Sequence, residues 1–358
     1  MKNNSLLNTD IKEIEKFLGA DNINNLSGKT ILLCGAGGFL GRYFVELVAH
    51  LNSSKDRSPI TLIAVDNFIT EPTATHLSDT PNNITFHKMD IINGIHFDFD
   101  IDYIIHAAGI ASPFYYAKYP METMEVATIG TKNLLELAVA KNVEGFMFFS
   151  SSEIYGDPDP KEVPTDEAYR GNVSCLGPRA CYDESKRLGE TMARVYHTHY
   201  GVPTKIVRPF NVYGPGMNQN DYRVVPDFIN RILSDKPLKI YKPGTQTRTF
   251  CYATDSINGF IRVLLKGVPG EPYNIGNDSP EITIQDLADT LESVAGYPIA
   301  KSFVEHPDVY PGDEPIRRCP NIKKANIHLG YHPQVSLKEG LIRSLNWASE
   351  NYEFKEKL

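Results

Sequence analysis

Tyr182 and Lys186 stand four positions apart in Pro178-Arg179-Ala180-Cys181-Tyr182-Asp183-Glu184-Ser185-Lys186, a spacing that puts both side chains on one face of a helix. A phenol held beside an ammonium ionises more readily, because the positive charge stabilises the phenolate. The pair is then a base able to take a proton from a hydroxyl. On an ordinary helix the same two residues are more often a half-buried aromatic beside a solvated amine. Whether the chain before them builds a cofactor site, and the chain after them a pocket, decides between the two readings.

The chain before them does build such a site. Thr30-Ile31-Leu32-Leu33-Cys34 is an apolar run of the buried parallel-strand type, followed at once by Gly35-Ala36-Gly37-Gly38-Phe39-Leu40-Gly41 and a helical pattern through His50. Strand, Gly-x-x-Gly-x-x-Gly turn and helix together let backbone N–H groups approach a pyrophosphate at the helix N-terminus. A second strand, Ile60 to Val65, ends in Asp66, 25 positions beyond Gly41. A carboxylate at this spacing hydrogen-bonds an adenosine ribose and repels a 2′-phosphate, so NAD is expected rather than NADP.

Further strands are expected at Ile84 to Met89, ending in Asp90-Ile91, at Tyr103 to His106, and at Gly145 to Ser150, with helices between. This alternation predicts an α/β fold with a Rossmann-type doubly wound parallel sheet. Ala107-Ala108-Gly109 offers small residues where a cofactor ribose could pass. Phe149-Ser150-Ser151-Ser152-Glu153 ends a strand in hydroxyls and a carboxylate, at the edge where open α/β sheets bind ligands; helix-capping serines are the competing reading. His106 reads as a core histidine.

The elements that position these groups divide the chain into three parts. Residues 1–27 form an N-terminal helical extension, with Thr9-Asp10 as cap and Ile11, Ile14, Phe17 and Leu18 as its apolar face, packed on the surface and without chemistry. Residues 28–210 are the NAD-binding domain that carries Tyr182 and Lys186. From Asn211 onward prolines and glycines become frequent and the alternation loosens. Residues 211–358 therefore read mostly as a smaller C-terminal substrate-binding lobe, with Tyr273-Asn274-Ile275-Gly276 among its short pieces. Its arginines, Arg223, Arg248, Arg317 and Arg318, suit a ligand carrying phosphates.

Composition narrows the classes further. A net charge of -8 over 358 residues argues against a non-specific grip on nucleic acid. Cys34, Cys175, Cys181, Cys251 and Cys319 form no Cys-x-x-Cys pair and lack metal-ligand spacing with histidine, so no metal is expected and the cytosol is the expected compartment. No apolar run approaches the roughly 20 residues that span a bilayer, and no secretory leader is expected.

Taken together, these motifs resemble the extended short-chain dehydrogenase/reductase family of nucleotide-sugar epimerases, dehydratases and decarboxylases, over roughly residues 28 to 352. Val65-Asp-Asn-Phe68, Ala111-Ser-Pro113 with Tyr116, Ser151 to Pro158, Gly177 to Glu184, Arg223-Val-Val225 and Gln246 to Phe250 look most like its decarboxylating branch. The resemblance implies cofactor contacts from Gly35, Gly38, Phe39, Leu40, Gly41, Asp66, Asn67, Asp90, Ile91, Ala107, Ala108, Tyr182 and Lys186. It implies a catalytic set of Tyr182, Lys186, Ser151, Ser152, Glu153 and Arg179. Glu153 would handle a proton near C5 of the sugar, and Arg179 and Arg318 would face the substrate's carboxyl end. Tyr116, Asn211, Arg223, Tyr241, Arg248 and Arg318 would bind the substrate, a UDP-sugar being favoured.

The implied reaction takes UDP-glucuronate to UDP-xylose or its 4-keto pentose by C4 oxidation, decarboxylation and re-reduction, with NAD regenerated. The alternatives are a 4-epimerase or 4,6-dehydratase on another nucleotide sugar and, from a different class, a cofactor-binding scaffold without turnover. Similar dehydratases carry Asp-Glu where this chain has Ser152-Glu153, and 4-epimerases generally lack the glutamate. Ala127 replaces the family's Asn, and Phe114 and Tyr115 stand where the decarboxylases tend to have Pro and His. A homodimer through the helices around 113–142 and 179–201 is implied as well.

Overall fold

The computed structural model describes residues 5–70, 83–305 and 314–353. The extreme ends of the expected N-terminal extension and C-terminal lobe, 1–4 and 354–358, lie outside the described residues. Among the described residues the strands are β1 (Thr30–Cys34), β2 (Thr61–Asp66), β3 (Ile84–Lys88), β4 (Tyr103–His106), β5 (Gly145–Phe149), β6 (Thr204–Pro209) and β7 (Val212–Tyr213). They continue with β8 (Leu238–Tyr241), β9 (Thr247–Arg248), β10 (Cys251–Tyr252), β11 (Pro272–Ile275), β12 (Ile282–Thr283), β13 (Lys301–Val304) and β14 (Arg317–Arg318). Seven of them form one parallel sheet in the order β11-β6-β5-β4-β1-β2-β3. The order reverses at β1, which lies between β2 and β4, and the carboxyl ends of these strands open a crevice there.

The helices are α1 (Ser5–Leu26), α2 (Phe39–Asn52), α3 (Pro113–Lys118), α4 (Pro120–Glu125), α5 (Thr131–Lys141), α6 (Ala180–Tyr200), α7 (Val224–Leu233), α8 (Ala253–Lys266), α9 (Ile284–Ala295), α10 (Lys323–Leu329) and α11 (Leu337–Asn351). The strand period of two sends Ile31, Leu33, Met147 and Phe149 to one face, where α1, α2 and α8 cover them. Leu32, Cys34, Phe146 and Phe148 point to the other face, under α5 and α6. With both faces buried, the strands read as continuous apolar runs. Gly189 brings α6 close to β5, since a Cβ there would stand 2.3 Å from the Phe148 ring. That approach carries Tyr182 and Lys186 to the end of β5.

Two expectations are corrected. Pro272–Ile275, assigned to the lobe, is the outermost strand of the main sheet, pairing with β6, and α8 covers that sheet. The lobe is thus an insertion between β6 and β11 plus the chain after β11, with its own core of Phe228, Ile229, Ile240, Leu287, Leu291 and Leu341. Asp10 is no cap: α1 begins earlier, at Ser5, and Asp10 is fully buried. It accepts hydrogen bonds from Tyr43 of α2 (3.0 Å), Tyr252 of β10 (2.9 Å) and Arg343 of α11 (3.3 Å). Tertiary donors override the local capping preference of an Asp at that position. His106 sits buried at the end of β4, 3.0 Å from the Thr131 hydroxyl, and burial lowers its pKa to about 3.

Candidate active site

The glycine turn between β1 and α2 is shaped by close approach. Gly35 has φ +90°, and a Cβ on it would lie 2.6 Å from the backbone of Ala108, while one on Gly41 would lie 2.0 Å from the Gly35 carbonyl oxygen. The cleft above them has about 770 Å³ of empty space open to solvent. Its lining includes Gly35, Gly38, Asp66, Asn67, Asp90, Ile91, Ala107 and Ala108 of the expected cofactor contacts. Phe39, Leu40 and Gly41 form the first turn of α2 beside it. Asp66 accepts from the Gly37 and Phe68 amides at 2.9 and 2.7 Å, and Asn67 donates to Asp90 at 2.9 Å. Gly37 was left out of the expected contacts, where a Cβ would stand 2.7 Å from the Phe68 ring, and Gly109, expected only as a small residue beside the ribose, also lies close to Lys186, where a Cβ would stand 3.1 Å from its Nζ. Their signal, small residues at strand ends facing the crevice, was readable.

At the inner end of the cleft, Tyr182 and Lys186 are both buried on α6. Lys186 stands near Tyr182 on one face of the helix, as the spacing predicts. Its Nζ donates to the Phe149 carbonyl at 2.7 Å and lies 5.8 Å from the Tyr182 ring centroid. Burial pushes the Tyr182 phenol up to about 12, while a hydrogen bond with Ser151 and the charge of Arg223 pull it back. Burial also lowers Lys186 to about 8. Desolvation outweighs the helical neighbour because both groups are out of water. Tyr116 stacks on Tyr182, with ring centroids 5.3 Å apart and planes 13° apart.

Ser151 caps a short 3-10 turn, accepting from the Glu153 amide at 3.2 Å, and Ser152 and Glu153 follow within it. Glu153 Oε2 receives Arg179 Nη2 and Arg318 Nη2, each at 2.7 Å. Burial alone would raise this carboxyl, yet Arg179, Arg318 and Arg248 hold it down near 2. Glu153 is therefore an ionised acceptor between two guanidinium groups. Arg318 reaches it because β14 pairs with β9, putting Arg318 beside Arg248; Arg248 in turn holds Glu314 at 3.0 Å. Asn211 donates to the Thr249 carbonyl at 2.7 Å. Arg223 Nε donates to Asp221 at 2.9 Å. Tyr241 stands apart from this cluster, at the end of β8 beside Asp227 and Arg231. Asp183, which sequence reasoning left unassigned, is buried among Glu153, Arg179 and Arg318. Its signal was helical: 179, 182, 183 and 186 form one stripe.

The profile of the NAD dependent epimerase/dehydratase family matches residues 31–276. The chain belongs to that family. Among its curated members, UDP-glucuronic acid decarboxylase 5 of Arabidopsis thaliana is 38% identical over 317 residues, 88% of each chain. UDP-glucuronic acid decarboxylase 1 of Danio rerio is 34% identical over 355 residues, 97% of this chain and 80% of the relative. Among solved structures, UDP-glucuronic acid 4-epimerase from Bacillus cereus, in complex with UDP-glucuronic acid and NAD, is 29% identical with a TM-score of 0.75, covering 90% of this chain and all of that one. This epimerase/dehydratase family is NAD-dependent, and the glycine cradle with Asp66 at the end of β2 fits a dinucleotide.

Proposed function

We propose that the chain decarboxylates UDP-glucuronate, giving UDP-xylose or the 4-keto pentose, with Tyr182 as the base for the sugar 4-hydroxyl. The carrying observation is the pair of guanidinium groups on Glu153 beside that phenol. A sugar carboxylate entering a closed site loses its water, and cationic donors offset that cost. Ser152 stands where an eliminating dehydratase needs a second carboxylate, and the similar curated relatives are UDP-glucuronic acid decarboxylases.

When bound, NAD supplies the hydride acceptor at C4. Gly35, Gly38 and the first turn of α2 would hold its pyrophosphate, and Asp66 its adenosine ribose. Ser151 holds the phenolate, Lys186 fixes the end of β5, and Arg223, Arg248 and Asn211 serve the nucleotide end. Uronate 4-epimerisation is the second reading, favoured by the likeness to the Bacillus cereus epimerase. A non-catalytic scaffold would have no use for a phenol, a lysine and a hydroxyl buried close together. Incubation with UDP-glucuronate and NAD, with products read by mass spectrometry, tests the proposal: a UDP-pentose supports it, and a UDP-hexuronate epimer points to the second reading.

The protein acts as a homodimer in the cytosol on this reading. Met121, Met124, Ile129 and Val139 along α4, α5 and the helical turn between them, with Leu188 and Val195 on α6, expose apolar side chains that a partner copy would cover. Five free cysteines suit a reducing compartment.

A further inference from the structure

The turn that carries Ser151, Ser152 and Glu153 has little stability of its own. Ser152–Tyr155 is a short 3-10 helix, a form with poorly aligned hydrogen bonds, and the Ile154 amide reaches the Ser151 carbonyl only at 3.4 Å. It is gripped from outside instead. Just before it, Lys186 Nζ donates to the Phe149 carbonyl at 2.7 Å. Arg187, the next residue of α6, donates from Nη1 to the Ile154 carbonyl at 2.9 Å and to the Arg170 carbonyl at 2.8 Å. Arg208, buried on β6, donates from Nη1 to the Tyr155 hydroxyl at 2.7 Å and to the Glu167 carbonyl at 2.9 Å. The rest of its guanidinium meets Glu190 of α6 as a fork, Nε to Oε1 at 2.8 Å and Nη2 to Oε2 at 2.6 Å. Gly156 then leaves the turn at φ +61°, where a Cβ would stand 1.8 Å from the Asn172 carbonyl oxygen.

Tyr182, Lys186 and Glu190 recur every four residues, so one face of α6 presents them in a row. Row and turn form a closed circuit. The phenol meets Ser151 at one end, Glu190 reaches Tyr155 through Arg208 at the other, and Lys186 and Arg187 hold the chain between. Building on the reading of Tyr182 as the base for the sugar 4-hydroxyl, we propose that Arg208, assisted by Arg187, is a positioning residue for the reaction, fixing the distance and angle at which Ser151 meets the Tyr182 phenol. A bidentate guanidinium–carboxylate pair sets an angle as well as a distance, which an ammonium does not. A hydroxyl favours the phenolate only while it points at the phenolate oxygen, so a turn released to shift by about 1 Å loses that help. Ser151 and Glu153 of the turn, Asp183 and Lys186 of α6, Tyr116 of α3 and Arg223 of the lobe surround the phenol. Of these, Ser151 and Glu153 are the residues whose turn the two arginines hold.

The test measures kcat, KM and the pH–rate profile of the NAD-loaded enzyme with UDP-glucuronate. Tyr182→Phe comes first: near-normal turnover would remove Tyr182 as the base, and this proposal with it. Carbon dioxide release is scored separately, because oxidation at C4 precedes it and serves epimerisation equally. With the base established, Arg208→Lys should lower kcat by about 10- to 100-fold while KM stays within about twofold. The rising limb of the profile should move upward by about one unit, the direction expected of Ser151→Ala. Arg187→Met removes a side chain that is 36% exposed, and it should act in the same sense to a smaller extent. It carries the same comparison where Arg208→Lys does not fold. Combined with Ser151→Ala, either arginine variant should leave the limb where Ser151→Ala alone puts it, since both act through one hydrogen bond. The proposal is overturned if the arginine variants keep both rate and limb, or if the rate falls only in step with the folded fraction seen by circular dichroism while the limb stays in place. Limb shifts that add in full to that of Ser151→Ala would overturn it as well.

Discussion

Single side chains in this site are governed by what burial does to their charge. Tyr182 is pushed up to about 12, so the active phenolate becomes more populated as pH rises, and Ser151 is the hydroxyl that favours it. Ser151→Ala should move the rising limb of the pH–rate profile upward by about one to two units, since a hydrogen bond to a charged group contributes about 1.5–3 kcal/mol. An unmoved limb would show that Ser151 does not hold the phenolate. Arg179→Met should weaken UDP-glucuronate by about ten- to more than a hundredfold and UDP-glucose far less, read as dissociation constants of both ligands. An equal loss for both would mean that Arg179 serves the nucleotide or the fold. The tyrosine-lysine pair, the serines and Glu153 were legible as candidates because each follows the glycine turn in an order that resembles one family, whereas type and spacing alone fit a bland reading as well. Asp183 was not, for a carboxylate on a helix reads as solvated until the chain around 151–156 and 317–318 closes over it.

Elements were legible where sequence pattern and burial agree. The central strands β1, β2, β4 and β5 appear within a residue of their apolar runs, since strands covered on both faces are largely apolar. β11 escaped that reading because Pro272-Tyr-Asn-Ile275 is short and polar at Asn274, a residue whose side chain accepts from Tyr155 (2.7 Å) and donates to the Thr165 carbonyl (2.9 Å). α1 was legible as a helix but not as a clamp. Through Asp10 it ties α2, β10 and α11 together, so it joins the sheet unit to the lobe. Asp10→Ala strands buried donors from those elements and should cost about 3–5 kcal/mol, seen as a lower denaturant midpoint with an unchanged slope. A loss within about 0.5 kcal/mol, the range of surface substitutions, would show that the clamp contributes nothing.

The whole molecule is a dinucleotide crevice at a sheet reversal, faced by a lobe that brings Arg318, beside buried Arg248, to the glutamate that Arg179 of α6 also holds. On the proposed reading, a partner copy covers the exposed apolar side chains along α4, α5 and α6. Leu188→Glu combined with Val195→Glu should convert a dimer to a monomer by light scattering, and a wild-type monomer at micromolar concentration would contradict the assembly. The central claim, that this site removes a carboxylate, is tested most directly by supplying UDP-glucuronate labelled in its carboxyl carbon to the NAD-loaded protein and measuring released carbon dioxide against nucleotide-sugar product. The account predicts carbon dioxide and a UDP-pentose in equal amounts, whereas full retention of label in a UDP-hexuronate, epimerised or unchanged, would contradict it.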